Sequence, residues 1–145
     1  MAGYNRILLA LDFHDDNDAL IEKRKAVAEQ YGAELFAIHV QEPIAAAYTT
    51  DGFAFNEQLV SLYGAIRQEA RGRLDGLAEK LGISQDQVLL AEGSAADEIH
   101  SAVEAHGIDL IVIGTHGQKG IQLLLGSTAN SVLHGVTCDV LTVRL

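Results

Sequence analysis

Asp109 to Leu145 reads DLIVIGTHGQKGIQLLLGSTANSVLHGVTCDVLTVRL, and the architecture turns on these residues. Leu110 to Ile113 is a short apolar run rich in β-branched residues and ended by Gly114, the pattern of a strand buried on both faces. Gly114, Gly117 and Gly120 follow, and glycine permits positive φ or a close backbone approach. Gly126-Ser127-Thr128 then stands where Ser or Thr caps a helix running through Val132 and Leu133. Strand, glycine loop and capped helix in this order present backbone NH groups to an anion. A helix start carries unsatisfied donors and roughly half a positive charge, so phosphate is a suitable guest without any basic patch.

Outward from this stretch, the chain supplies the rest of a parallel sheet. Arg6 to Leu11 (RILLAL) is a continuous apolar run closed by Asp12, which places Asp12 at the carboxyl end of the first strand. The acidic turn FHDDND precedes Leu20, Val27 and Tyr31 at helical spacing, and Gly32 stops that helix. Glu34 to Val40 (ELFAIHV) is the second strand, ended before Pro43, and Ile44 to Phe55 is a longer connection where a flexible flap fits. Leu59, Leu62, Ile66, Ala70, Leu74, Leu77 and Leu81 trace one stripe of a long helix. Gly64, Gly72 and Gly76 interrupt it at up to about 1 kcal/mol each relative to alanine, so close packing or a bend is expected there. Val88 to Ala91 is the third strand. Gly93-Ser94 followed by Asp97 reads as a turn into a capped helix that runs to His106 and ends at Gly107.

The order β-α-β-α-β-α-β-α-β leaves no two neighbouring strands close enough for a hairpin. It predicts an α/β fold: a doubly wound five-stranded parallel sheet in a three-layer sandwich with strand order 3-2-1-4-5. That order reverses between strands one and four. Ligands of open α/β sheets bind in the crevice outside the carboxyl ends at such a switch, where Asp12 and Gly114 stand together.

Composition narrows the function. The 145 residues, read as one domain over 1–145, are 48% hydrophobic and 21% charged, with one proline. Ten Lys plus Arg against twenty Asp plus Glu give a formal charge of −10, a balance that repels DNA, RNA and anionic membranes and disfavours nucleic acid as a partner. One cysteine, Cys138, excludes an intrachain disulfide. The absence of a signal-type apolar segment and of an apolar run of about 18 residues points to a cytoplasmic, soluble chain with no membrane partner.

Two common nucleotide motifs are missing. The dinucleotide fingerprint G-x-G-x-x-G belongs directly after the first strand, where this chain has DFHDDN. A P-loop needs glycine followed by Lys-Ser or Lys-Thr, and Lys119 is in the wrong frame. What remains is a glycine loop after strand four that feeds a Gly-Ser-Thr helix start, with an Asp ending strand one.

At these residues the chain resembles the universal stress protein A family from end to end. The resemblance lies in RILLALD, the pair His39-Val40, EGSAADEI (Glu92 to Ile99), DLIVIGTHG (Asp109 to Gly117), LLLGSTANSVL (Leu123 to Leu133) and the CDVLTVR terminus. It implies an adenine nucleotide alpha hydrolase-like fold, a cytoplasmic homodimer, induction under stress, and ATP or AMP bound by some members only. Carried over residue by residue, it implies that Asp12 meets ribose or adenine, that Val40 holds adenine through its backbone, and that Gly114, Gly117, Gly126, Ser127 and Thr128 line the phosphates. Carboxylates accept from ribose hydroxyls, and glycine NH groups and hydroxyls donate to phosphate oxygens. The nucleotide-binding pattern G-x2-G-x9-G-[ST] is one residue short here: eight residues, Gln118 to Leu125, precede Gly126, and Ala129 stands where a second hydroxyl is usual. The competing reading is therefore a dimeric interaction protein of the same fold that binds no nucleotide.

Other groups admit plainer readings beside the sharp ones. Asp12, His14, Asp15, Asp16 and Asp18 offer oxygen ligands, but clustered Asp and Asn more often cap turns, so no dedicated metal site is assigned. Mg2+ or Mn2+ is expected only with nucleotide. His116 lies in the loop as a phosphate contact, a proton carrier or a passive residue, and His39 is expected to be packed. No nucleophile stands out and no catalytic residue is assigned, so at most slow ATP hydrolysis is expected. An adenylyl transferase ranks last, because the His-x-Gly-His signature of such relatives is missing. The final strand, Asp139 to Leu145, falls at a sheet edge, where antiparallel pairing with its own copy makes a homodimer. Other protein partners are not legible.

Overall fold

The structure, a computed structural model, describes residues 3–11, 18–41, 56–115 and 131–144. Its elements follow the expected order: β1 (Arg6–Ala10), α1 (Asp18–Tyr31), β2 (Glu34–Gln41), α2 (Asn56–Leu81), a 3-10 turn (Gln85–Gln87), β3 (Val88–Glu92), α3 (Ala95–His106), β4 (Leu110–Thr115) and β5 (Asp139–Arg144). Residues 131–133, ahead of β5, are helical.

All four strand pairings are parallel, and the sheet order is β3-β2-β1-β4-β5, as the alternation of strands and helices predicts. Chain direction through the sheet reverses between β1 and β4, which pair from Ile7↔Leu110 to Ala10↔Ile113. Three strands run past their apolar cores: β2 takes in Gln41, β3 takes in Glu92, and β4 continues through Gly114 to Thr115. Gly114 therefore lies within the strand, opposite Val143. Hydrogen bonding to a neighbour extends a strand beyond the residues that bury themselves.

Strand alternation sends side chains to two cores. Ile7, Leu9, Leu35, Ala37, Val88, Leu110 and Val112 meet Ile21 and Ala28 of α1 and Leu74, Leu77 and Leu81 of α2. On the other face Leu8, Phe36, Ile38, Ile111 and Ile113 meet Ile99, Ala102 and Val103 of α3 and Val132. The result is the expected three layers. β1 and β4 face helices on both sides, which is why their sequences are continuously apolar rather than alternating.

The helix ends are written in the sequence. α1 and α2 stop in the same way: Gly32 and Gly82 adopt φ +64° and +71°. Gly32 N donates to Glu29 O and Ala33 N to Ala28 O, and Gly82 N donates to Glu79 O and Ile83 N to Ala78 O, the paired bonds of a Schellman end. α3 starts on Ser94, whose hydroxyl accepts from Asp97 N at 3.5 Å, and ends on Gly107 at φ +63°, as its sequence predicts.

Two helix faces differ from the periodic reading. The buried side of α1 is Ile21, Arg24 and Ala28, one position away from the stripe of Val27 and Tyr31. Tyr31 is exposed and stacks edge-on to Tyr4, with ring centroids 4.9 Å apart. In α2, Ala70, Leu74, Leu77 and Leu81 are buried, but Leu62 is exposed. A Cβ placed on Gly64, Gly72 or Gly76 meets nothing within 4 Å. These glycines serve no close packing, and α2 runs through them as one continuous helix.

Candidate functional site

The carboxyl rim of the sheet is anchored where β1 leaves it. Leu11 N donates to Ile38 O at 2.9 Å, and Leu11 O lies 3.2 Å from His39 Nδ1. A carbonyl only accepts, so this ring nitrogen carries the proton. The expected packed role of His39 thus has a specific content: the half-buried imidazole ties β2 to the last described residue before Asp12.

Along the same rim, Val40 is half-buried, packs against the α3-side core and pairs with Ala91. Gln41 follows and pairs with Glu92, while its carbonyl accepts from Gly93 N at 3.0 Å. Glu92 forms an ion pair with Arg67 of α2. Gly114 stands one strand beyond β1, on the other side of the chain reversal. Of the residues expected to contact nucleotide, Val40 and Gly114 are thereby placed at the carboxyl ends of β2 and β4. Asp12, Gly117, Gly126, Ser127 and Thr128 lie outside the described residues, as does His116.

Sequence reading missed two groups. Arg24 is buried to 2% exposure on the sheet-facing side of α1, a charge that apolar periodicity cannot predict. Gln41 is 8% exposed, and both its Nε2 and Oε1 are buried with no hydrogen-bond partner among the described residues. Its place directly after ELFAIHV is the one sequence signal available, because a strand continued by one residue puts Gln41 on the face of Leu35 and Ala37.

A separate hollow of about 450 Å3 lies between the ends of α1 and α2 and the start of β2, lined in part by Lys25, Glu29, Leu81 and Gln87. Several of its polar groups are already used. The Schellman bonds occupy helix-end carbonyls, and Gln87 Nε2 donates to Leu35 O at 2.9 Å. It is at the amino end of β2, away from the strand ends that carry Val40 and Gly114. No group of three or more His, Cys, Asp or Glu side chains suited to a metal occurs among the described residues. Among them, too, no helix is long and apolar enough to cross a membrane. Burial, with Asp139 nearby, pushes the Cys138 thiol above its usual range, which disfavours the reactive thiolate.

A family model described as the universal stress protein family matches residues 3–144. The chain belongs to the universal stress protein family. Universal stress protein A homolog 2 of Coxiella burnetii is 39% identical over 146 residues, covering 100% of this chain and 98% of that one. The fold is shared with hypothetical protein MJ0577, at 22% identity and a TM-score of 0.77 over 99% of this chain and 98% of that one. It is also shared with a universal stress protein solved in complex with cAMP, at 18% identity and a TM-score of 0.61 over 99% of this chain and 98% of that one. Membership in the family supports a role in the stress response.

Proposed function

We propose that this universal stress protein binds an adenine nucleotide, ATP or AMP, at the carboxyl rim beside the β1/β4 reversal, and acts as a regulatory or protective module. The observation that carries this reading is the reversal itself: β1 and β4 adjoin in a parallel sheet, and their ladder ends at the pair Ala10↔Ile113, the place where open α/β sheets accept ligands. A fold neighbour solved with cAMP supports the same class of guest. Asp12 takes the ribose or adenine and the Val40 backbone the adenine. Gly114, Gly117, Gly126, Ser127 and Thr128 take the phosphates, with Mg2+ or Mn2+ arriving only with the nucleotide. Hydrolysis is slow at most, since no base is assigned to position water. The protein works in the cytoplasm as a homodimer through the β5 edge, where Leu141 and Thr142 are exposed.

A thermal-shift titration with ATP, ADP and AMP, with and without Mg2+, tests the site, because saturable stabilisation follows from binding to the folded state. Gly117→Val should abolish that shift and leave the fold. The shortened loop and Ala129 favour a second reading, a dimeric interaction protein without nucleotide. A dimer that shows no shift with any of the three nucleotides establishes that reading instead, and a sedimentation mass of one chain at micromolar concentration refutes the dimer.

A further inference from the structure

Two tyrosines meet at the amino end of the sheet, opposite the rim that carries Val40 and Gly114. Tyr4, just ahead of β1, and Tyr31, the last residue of α1, stand edge to face with ring centroids 4.9 Å apart and planes at 81°. Tyr4 is held at both ends of its side chain. Its ring packs against the α1/α2-side core, and its hydroxyl donates to Asp139 Oδ2 at 2.7 Å. Tyr31 is 43% exposed. Surface ring, inner ring and carboxylate thus follow one another from solvent inward.

The chemistry of this row is that of electron loss. The chain has no tryptophan, and its single thiol, Cys138, is half-buried, so its tyrosines are the aromatic side chains that yield an electron most readily. Removing an electron from a phenol makes its hydroxyl strongly acidic, and a base already hydrogen-bonded to that hydroxyl eases the step by taking the proton. Asp139 stands in that position for Tyr4. The negative charges of Asp139 and Asp109 also act on this ring. They oppose a phenolate and so raise the Tyr4 pKa, and by the same sign they favour the departure of an electron.

We propose that Tyr4 and Tyr31 form an oxidative cross-linking site, in which a one-electron oxidant couples the two rings into dityrosine and Asp139 takes the proton from Tyr4. Two equivalents of oxidant each remove one electron, the Tyr4 proton passes to Asp139 and on to solvent, and the Tyr31 proton goes to water. The two phenoxyl radicals then join through ring carbons ortho to oxygen, and the hydrogens on those carbons move to the oxygens to restore both phenols. A direct bond between two such rings draws their centroids only a little closer than in the present stack. An edge-to-face contact is worth about one to three times thermal energy, so the exposed ring of Tyr31 turns at little cost. The new bond ties the segment ahead of β1 to the end of α1. It needs nothing at the carboxyl rim and is independent of the nucleotide reading.

The test is photo-oxidation of the full chain at low micromolar concentration with tris(bipyridine)ruthenium(II) and persulfate, followed by dityrosine fluorescence and mass spectrometry. Cleavage after glutamate isolates Tyr31 in QYGAE, apart from Tyr48 and Tyr63, so the joined partners are read directly. The main product should join Tyr4 to Tyr31 with the loss of two hydrogens, at a rate independent of protein concentration. Tyr4→Phe and Tyr31→Phe should each abolish it, and Tyr63→Phe should leave it. Asp139→Asn keeps an oxygen acceptor for the hydroxyl but is a far weaker base, and should slow the product several-fold at an unchanged urea midpoint. A main product through Tyr48 or Tyr63, or a rate that rises with protein concentration, overturns the proposal. Equal rates in wild type and Asp139→Asn, or in folded and urea-unfolded protein, overturn it as well.

Discussion

Asp109 grips the backbone of Arg6 from both directions. Its Oδ1 accepts from Arg6 N at 3.1 Å and its own N donates to Arg6 O at 3.0 Å, while Oδ2 accepts from Asn5 N at 2.9 Å. The clasp sits one residue before Ile7↔Leu110, the first pair of the central ladder, and so sets the register of β1 on β4. Removing the carboxylate leaves two NH groups to solvent. Asp109→Ala should lose about 1.5–3 kcal/mol, the range for hydrogen bonds to a charged acceptor, read as a lower urea midpoint at unchanged slope. A midpoint equal to wild type would show that the clasp is redundant with the ladder.

The glycines of α2 offer the opposite outcome. Gly64, Gly72 and Gly76 are helical, exposed and open to an added methyl, so alanine at each should stabilise by about 0.4–1 kcal/mol through the unfolded chain. Gly107 is the control. Its φ is +63° and a Cβ there meets Arg6 Nη1 at 3.2 Å, so Gly107→Ala should destabilise. Urea denaturation of the four single variants checks both signs, and a stabilised Gly107→Ala would contradict the left-handed cap.

These contrasts mark what the amino-acid order discloses. Strand order followed from alternating strands and crossovers, because right-handed connections leave few topologies for a parallel sheet. Gly32 and Gly107 announced helix ends because each closes an apolar stripe. Periodicity does not say where neighbours stop, however. Leu62 continues the α2 stripe and is exposed, and Gly64 interrupts it without touching anything. Of the candidate site, the places of Val40 and Gly114 at the ends of β2 and β4 were legible, while Asp12, Gly117, Gly126, Ser127 and Thr128 lie outside the described residues. The buried amide of Gln41 was not legible, since burial of a polar side chain is decided by what lies opposite it in space.

Cys138 should react slowly. Its half-buried position raises the thiol pKa, with Asp139 and Asp109 adding to the effect, so less thiolate is present at any given pH. Iodoacetamide labelling at a mildly alkaline pH should be slower in the folded protein than in urea. Equal rates in both states would argue that the thiol is not shielded.

Tyr4 gives a dependence on alkaline pH. Its hydroxyl donates to Asp139 Oδ2 at 2.7 Å, which with that carboxylate's charge raises the tyrosine pKa above 10.0. The folded value exceeds the unfolded one, so this contact stabilises fully below the unfolded pKa and is lost as pH rises through the folded value. Tyr4→Phe should therefore show a smaller fall in stability than wild type as the pH is raised through that range, measured by urea midpoints at a series of pH values. Parallel pH profiles would remove Tyr4 from the account.

The pairing of β1 with β4 has a consequence for the birth of the protein. The contact between Arg6 and Asp109 spans 103 residues, and closing so long a loop is slow compared with neighbouring elements. A ribosome that has not yet delivered Leu110 holds a chain whose first strand, with Leu8 and Leu9 destined for complete burial, has one edge bare. The centre of this sheet is thus completed late in synthesis, and until then its first strand depends on β2 alone or on a chaperone for cover.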